Sequence, residues 1–244
     1  DRIHYYAESL KRAFHDGHYY ITDPTFESVP DLAASSYAAR RAEHIGPYAS
    51  DVSVGGPGTP PEDGDTVLLT VADEAGNVVS LINSIFEPFG SGVVVPDTGI
   101  VLQNRGASFS LDPSHPNTLE PKKRPFHTLI PGLIQFDSDD WAAFGVMGGY
   151  MQPQGHLQVL ANLIDYGFDP QAALNAPRWR YRNDGSLAVE ERFEDGVLGK
   201  LARRGHEVTV HPPSAFGGAQ FTRRRGDVLS GATDPRKDGA AIGF

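Results

Sequence analysis

SDVSVGGPGTPPEDGDTVLLTVADEAGNVVSLINSI, residues 50–85, changes character halfway, and the reading of the whole chain turns on that change. From Ser50 to Asp65 the stretch holds four Gly, three Pro and no aliphatic side chain larger than Val. It cannot pack as an ordinary element and reads as an exposed, mobile segment. At Thr66 the pattern reverses. Residues 66–72 are β-branched and apolar, Asp73 to Asn77 supply turn chemistry, and residues 78–85 run back, which is a β-hairpin. A strand therefore opens directly after a loop suited to being cut.

Upstream, Ile3, Tyr6, Leu10 and Phe14 recur at spacings of three and four and predict a helix over 2–16, ending near Gly17. A second amphipathic helix is expected over 34–45, stopped by Gly46-Pro47. Downstream, strands are expected at 93–95, 100–103, 129–135, 142–147, 187–190, 207–210, 218–223 and 227–230, with helices at 152–166, 170–176 and 193–204. Many short strands and a few helices, without regular alternation, favour antiparallel sheet covered by helices: a layered α/β sandwich.

The chain has 244 residues, 39% hydrophobic and 21% charged, enough for one globular unit with a real core. Its formal net charge of -10 repels a phosphate backbone and argues against nucleic acid and anionic membrane, leaving a small molecule as the expected partner. No apolar run approaches the roughly 20 residues of a membrane span. With Cys 0, disulfides, thiolate catalysis and cysteine metal sites are excluded, while the compartment stays open, with the cytoplasm as default. The sequence begins at Asp1 inside a helical pattern, so it reads as truncated or processed, with any leader peptide upstream.

Three local features bear on chemistry. Thr66 either simply opens a strand, as threonine often does, or is a nucleophile whose own α-amine, once freed by cleavage after Asp65, acts as base. Gly148-Gly149, between an apolar strand and a helix, is either a plain turn or a place where backbone N–H groups approach a reacting carbonyl as an oxyanion hole. Phe89-Gly90-Ser91-Gly92 lines a pocket or merely links strands. His15 and His18 lack a third ligand at a recognised spacing and read as a surface helix end rather than a metal pair. Arg178, Arg180 and Arg182 alternate with Trp179 and Tyr181, which suggests a solvated arginine face backed by aromatics; Arg223-Arg224-Arg225 reads as exposed. No GxSxG, HExxH, GxxxxGK[ST] or post-strand GxGxxG pattern occurs.

Taken in order, Asp65-Thr66, AspGluAlaGlyAsn at 73–77, PheGlySerGly at 89–92, ThrGlyIle at 98–100, LysArgPro at 123–125, GlyGly at 148–149, AspTyrGly at 165–167, AsnAlaProArg at 175–178 and AspProArg at 234–236 resemble the γ-glutamyltransferase family over nearly the whole chain. That resemblance implies a four-layer αββα sandwich of two antiparallel sheets, the fold of N-terminal-nucleophile hydrolases. It also implies autoprocessing into two chains. Residues 1–65 look like the end of a large subunit plus a processing loop, and residues 66–244 like the small catalytic subunit, both belonging to one domain whose upstream part is missing. Amide hydrolysis or acyl transfer would pass through an ester on Thr66, with Ser84 as the second hydroxyl that orients it, Gly148 and Gly149 as the oxyanion hole, and neither metal nor organic cofactor.

The chain also departs from the pattern of the family's γ-glutamyl enzymes. Val67 and Leu68 follow the nucleophile in place of a hydroxyl residue and histidine; Ser108 replaces the acid that binds the substrate's α-amine, Arg105 replaces a nearby amide, and His127-Thr128 replaces a serine pair. An ammonium without its carboxylate is poorly bound, whereas Arg105 suits an anionic group, or else pairs structurally with an acid elsewhere. The resemblance is therefore closer to amidohydrolase and acylase branches, including the oxamate amidohydrolase type, and implies a small anionic amide as substrate, bound near Arg105, Ser108, His127 and Thr128. The alternatives are a γ-glutamyl hydrolase or transferase acting on glutathione, and a non-catalytic binding descendant. The expected partners are the chain's own upstream large-subunit segment and, as an open matter, further copies in a homo-oligomer.

Overall fold

The computed structural model describes residues 1–52 and 65–244, so the segment read as mobile and suited to cleavage lies, for residues 53–64, outside the described residues. In chain order the elements are α1 (Arg2–Tyr20), α2 (Ser35–Ala42), β1 (Asp65–Ala72), β2 (Val78–Phe86), β3 (Gly132–Asp137), β4 (Asp140–Met147), α3 (Met151–Ile164), α4 (Pro170–Asn175), β5 (Trp179–Tyr181), β6 (Leu187–Glu190), α5 (Asp195–Arg203), β7 (Val208–His211), β8 (Gly218–Arg225) and β9 (Val228–Thr233). Single 3-10 turns stand at Arg105–Ser108 and Pro213–Phe216. The elements gather into two compact units interleaved along the chain. Unit 1 takes the described part of Asp1–Pro60, then Arg105–His127 and Trp179–His211; unit 2 takes the described part of Pro61–Asn104, then Thr128–Arg178 and Pro212–Phe244.

Unit 2 is built on the antiparallel sheet β3-β4-β8-β9. Alternation along β4 assigns its two faces. Ala142, Phe144 and Val146 join Val159, Leu174, Ala219, Phe221 and Ala232 in the core beneath α3 and α4, while Gly145 turns the other way to meet Leu68 of the β1-β2 hairpin. The hairpin closes through Asp73, whose carboxylate accepts the Asn77 N–H at 2.8 Å and its side-chain amide at 2.7 Å. Helix α4 starts as its sequence predicts: Asp169 accepts the Ala172 N–H, and Pro170 needs no donor. The fold is thus the mixed α/β sandwich of two antiparallel sheets, and unit 2 contains three of its layers, helix, sheet and sheet. The outer face of the hairpin, with Val67, Leu69, Val71, Val79 and Leu81, is exposed.

In unit 1, Ile3, Ala7, Leu10 and Phe14 are buried along one face of α1. The helix does not stop near Gly17 but runs to Tyr20. Gly17 keeps ordinary helical geometry, and His18 in the added turn is buried between Phe14 and Phe126, with ring centroids at 5.6 and 5.2 Å. The reading of His15 and His18 as a surface helix end therefore fails for His18; only His15 is exposed. The sheet β5-β6-β7 contains one parallel pair, β6 with β7, joined across α5, which the antiparallel expectation did not include. The strands expected at 93–95 and 100–103 reduce to one bridge, Val94 to Val101. Pro96 lacks a ladder donor, and Asp97 and Gly99 sit at φ +61° and +71°, so the turn consumes the residues a longer ladder needs.

His156 on α3 packs its ring against Phe144, centroids 4.5 Å apart, and burial pushes its imidazole from 6.5 down to about 4. The unfolded chain therefore takes up this proton first as pH falls. The stabilisation is full above about pH 6.5 and is lost between about 6.5 and 4, amounting to on the order of 3 kcal/mol for this group. Urea unfolding at a series of pH values is expected to show that decline, and His156→Leu should flatten it.

Candidate functional site

The start of the hairpin is where the sequence placed its nucleophile. Antiparallel register sets Thr66 opposite Ser84. The Thr66 hydroxyl donates to Ser84 Oγ at 3.1 Å, and the same Oγ accepts the Phe86 N–H at 3.0 Å. The candidate nucleophile is thus oriented by a hydroxyl that the backbone itself anchors. The ladder is irregular at this point: Asp65 pairs with Phe86 and Thr66 with Ser84, so Ile85 on the opposing strand is skipped. Phe86 is held at φ +80°, a left-handed conformation costing a phenylalanine roughly 1–3 kcal/mol, and it stays there because its side chain is buried. Backbone strain therefore sits opposite the Asp65-Thr66 peptide.

Every second residue of β1 looks inward. Thr70 Oγ1 lies 2.7 Å from Thr222 Oγ1, on the row that Thr222 shares with Ala143. Leu68 covers Gly145, where a Cβ would come within 2.9 Å of its Cδ1. The inward residues Thr70 and Leu68 step along β4 from 143 to 145, and Thr66 follows them on the same face of β1.

The two glycines make the turn into α3 at φ +116° and +55°. Their carbonyls accept the Met151 and Gln152 N–H groups at 2.8 and 3.1 Å. Neither glycine N–H has a partner among the described residues. Two unpaired amides at the N-terminus of a helix carry positive potential of the kind that stabilises an oxyanion. Gly217 buttresses this turn. Its Cα lies 3.2 Å from where a Gly148 Cβ would be, and at φ +68° a side chain of its own would strike the Met147 carbonyl oxygen at 2.2 Å.

The buttress rests on a buried ionic network that the sequence reading missed. Asp234 accepts from Arg178 at 2.6 Å, from Arg236 at 3.0 Å and from the Ala219 N–H at 2.9 Å; Arg178 also reaches the Phe216 carbonyl at 3.2 Å, and Arg236 those of Leu174 and Ala176, both at 2.7 Å. The expected solvated arginine face is therefore wrong for Arg178 and Arg180, which are 2% and 9% exposed. Buried acids and arginines in separate motifs have no spacing that announces their pairing; the only signal was that AsnAlaProArg at 175–178 and AspProArg at 234–236 both belong to the family resemblance. Arg223, read as exposed, is partly covered, forking onto Asp140 at 2.6 and 2.5 Å.

The remaining candidates fall in both units. Thr128 belongs to unit 2 with Thr66, Ser84, Gly148 and Gly149, whereas Arg105, Ser108 and His127 belong to unit 1. Arg105, Ser108 and Thr128 are buried, and the Ser108 carbonyl accepts the Asn117 side chain at 2.7 Å. Protein packed about the His127 ring, and secondly the Arg105 charge, push its imidazole down to about 4; part of the ring keeps solvent contact, and the group is neutral at pH 7. His4, Glu8 and His206 converge in unit 1 in the manner of metal ligands. Their polar atoms are already engaged: His4 with His206 and with the Gly46 carbonyl, both at 2.9 Å, and Glu8 with Lys11, Arg12 and Ser50. Two adjacent cations leave little attraction for a third.

The sequence pattern described as Gamma-glutamyltranspeptidase matches residues 1–244. The chain is 40% identical over 251 residues to the glutathione hydrolase-like YwrD proenzyme of Bacillus subtilis, covering 99% of this chain and 47% of that protein. It is 39% identical over 252 residues to the oxamate amidohydrolase proenzyme of Klebsiella pneumoniae, covering 99% and 47%. Among solved structures it resembles a cephalosporin acylase from Bacillus halodurans, with TM-score 0.81 and 42% identity, covering 99% of this chain and 45% of that one. The chain spans about half the length of the curated relatives it matches.

Proposed function

This chain belongs to the gamma-glutamyltranspeptidase family, and from that premise we propose that the complete protein is an autoprocessing amidohydrolase that cuts itself between Asp65 and Thr66 and then hydrolyses a small amide. The observation that carries the reading is the hydrogen bond from the Thr66 hydroxyl to Ser84 at 3.1 Å, in the same unit as two glycine amides left unpaired at the end of β4. In processing, Thr66 Oγ1 attacks the Asp65 carbonyl carbon, the peptide nitrogen leaves as the α-amine, and water opens the resulting ester. Thr66 then has a free amine beside its hydroxyl.

In turnover that amine takes the hydroxyl proton while Oγ1 attacks the substrate carbonyl. The Gly148 and Gly149 N–H groups hold the tetrahedral oxyanion, the protonated amine delivers its proton to the departing amine, and water hydrolyses the acyl ester. Anionic acyl groups are the substrates of choice on the sequence alone: where the family's γ-glutamyl enzymes have an amide and an acid for the substrate's α-amine, this chain has Arg105 and Ser108. The relative named oxamate amidohydrolase agrees with that choice.

Intact-mass analysis of the complete protein is the test. Two chains are expected, the lighter one beginning at Thr66. A folded protein that stays in one piece, or is cut elsewhere, contradicts the proposal.

A further inference from the structure

Phe86 is left-handed at φ +80°, two residues beyond Ser84, and its backbone has to be held there. A residue's φ and ψ are fixed when the peptide planes on both sides of it are fixed, and at Phe86 both are. In the plane before it, Ser84 Oγ accepts the Phe86 N–H at 3.0 Å, and the Ile85 carbonyl accepts the Asn104 N–H at 3.2 Å. In the plane after it, the Glu87 N–H donates to Asn104 Oδ1 at 3.1 Å. Asn104 therefore grips both planes, the first with its backbone and the second with its side chain.

The Asn104 amide is itself braced. Its Nδ2 donates to Glu87 Oε2 at 2.5 Å, a bond strengthened by the carboxylate charge, and exchanging oxygen and nitrogen would set Nδ2 against the Glu87 N–H. Both residues are half-buried and belong to unit 2 with Thr66 and Ser84. The two arms that lead away from this clasp are packed together: the Ser91 N–H donates to the Leu102 carbonyl at 2.8 Å, and a Cβ on Gly90 would strike that same oxygen at 2.5 Å.

We infer that Asn104, braced by Glu87, is a positioning residue for self-cleavage. It acts through Phe86. The left-handed turn there accompanies the skipped Ile85, so the ladder between β1 and β2 is interrupted opposite the Asp65-Thr66 peptide. A peptide held in a regular ladder resists the twist that attack by its own Thr66 hydroxyl requires, and the interruption relieves that resistance. The Phe86 N–H also shares Ser84 Oγ with the Thr66 hydroxyl, so a shift at Phe86 passes to the attacking oxygen. This rests on the self-cleaving reading of the chain and names a residue that sets its rate.

The test follows the cut fraction against time, by intact mass, in the complete protein made by cell-free synthesis. Wild type is compared with Asn104→Ala, Asn104→Asp and the double variant Asn104→Asp/Glu87→Gln. The Asp variant keeps an acceptor for the Glu87 N–H but sets two carboxylates together; adding Glu87→Gln restores the bond with its direction reversed. The same changes in Thr66→Ala protein, which is not expected to cut, give their effect on urea unfolding separately. Both single variants are expected to stay folded and to cut roughly 10- to 100-fold more slowly, and the double variant to return to within about threefold of wild type. A folded single variant that cuts at the wild-type rate overturns the role of Asn104, as does a double variant no faster than Asn104→Asp. Failure of all three to fold overturns it too, since the clasp would then serve the fold alone. Wild type that never self-cleaves instead overturns the reading on which this one rests.

Discussion

The Thr66→Ala protein is expected to remain a single uncut chain and to lose amide hydrolysis by at least about 10⁴-fold, since removing a covalent nucleophile leaves only binding and oxyanion stabilisation. The fold should survive. The substitution removes one hydroxyl that donates to Ser84 at 3.1 Å, a net loss of about 1 kcal/mol, and Ser84 Oγ still accepts the Phe86 N–H. Loss of cleavage without loss of stability distinguishes chemistry from misfolding. Thr66→Ser, which keeps the hydroxyl, should still cut at the same bond, as mass spectrometry of both variants after equal incubation would reveal. Cleavage of the Ala protein at the wild-type rate would remove Thr66 from the mechanism.

The second large effect is expected at Asp234. Replacing it by Ala leaves two guanidinium groups, whose side chains are 2% and 1% exposed, without their shared carboxylate, and removes the acceptor of the Ala219 N–H. Breaking a buried pair from one side costs about 3–5 kcal/mol, because the remaining charge is uncompensated. Urea unfolding should register that loss directly. Asp234→Asn, which retains an oxygen for one of the arginines, should lose less. Self-cleavage should slow in both, since the network holds Phe216 to Ala219 against the turn at Gly148; normal cleavage in a destabilised Asp234→Asn protein would confine the network to stability.

Local pattern reached far in this chain. The hairpin at 66–85, the helix opened by Asp169-Pro170 and the glycine pair between β4 and α3 all follow from neighbours in sequence, because period, turn chemistry and capping act over a few residues. The helix end at Gly17 and the short strands near Val94 went differently. In the first, burial of His18 among aromatics outweighs the roughly 1 kcal/mol cost of a helical glycine; in the second, Pro96 and two left-handed residues leave room for a single rung.

Sequence by itself determined most of the helices and strands, the family resemblance and the identity of Thr66, Ser84 and the glycine pair as candidates. Only the tertiary structure decided that Thr66 and Ser84 share a hydrogen bond, that the glycine amides are unpaired, that Asp234 lies between Arg178 and Arg236, and that Asn104 grips the backbone on both sides of Phe86. These are relations between residues distant in the chain. Local periodicity says which face a side chain takes, but not which remote partner will meet it there.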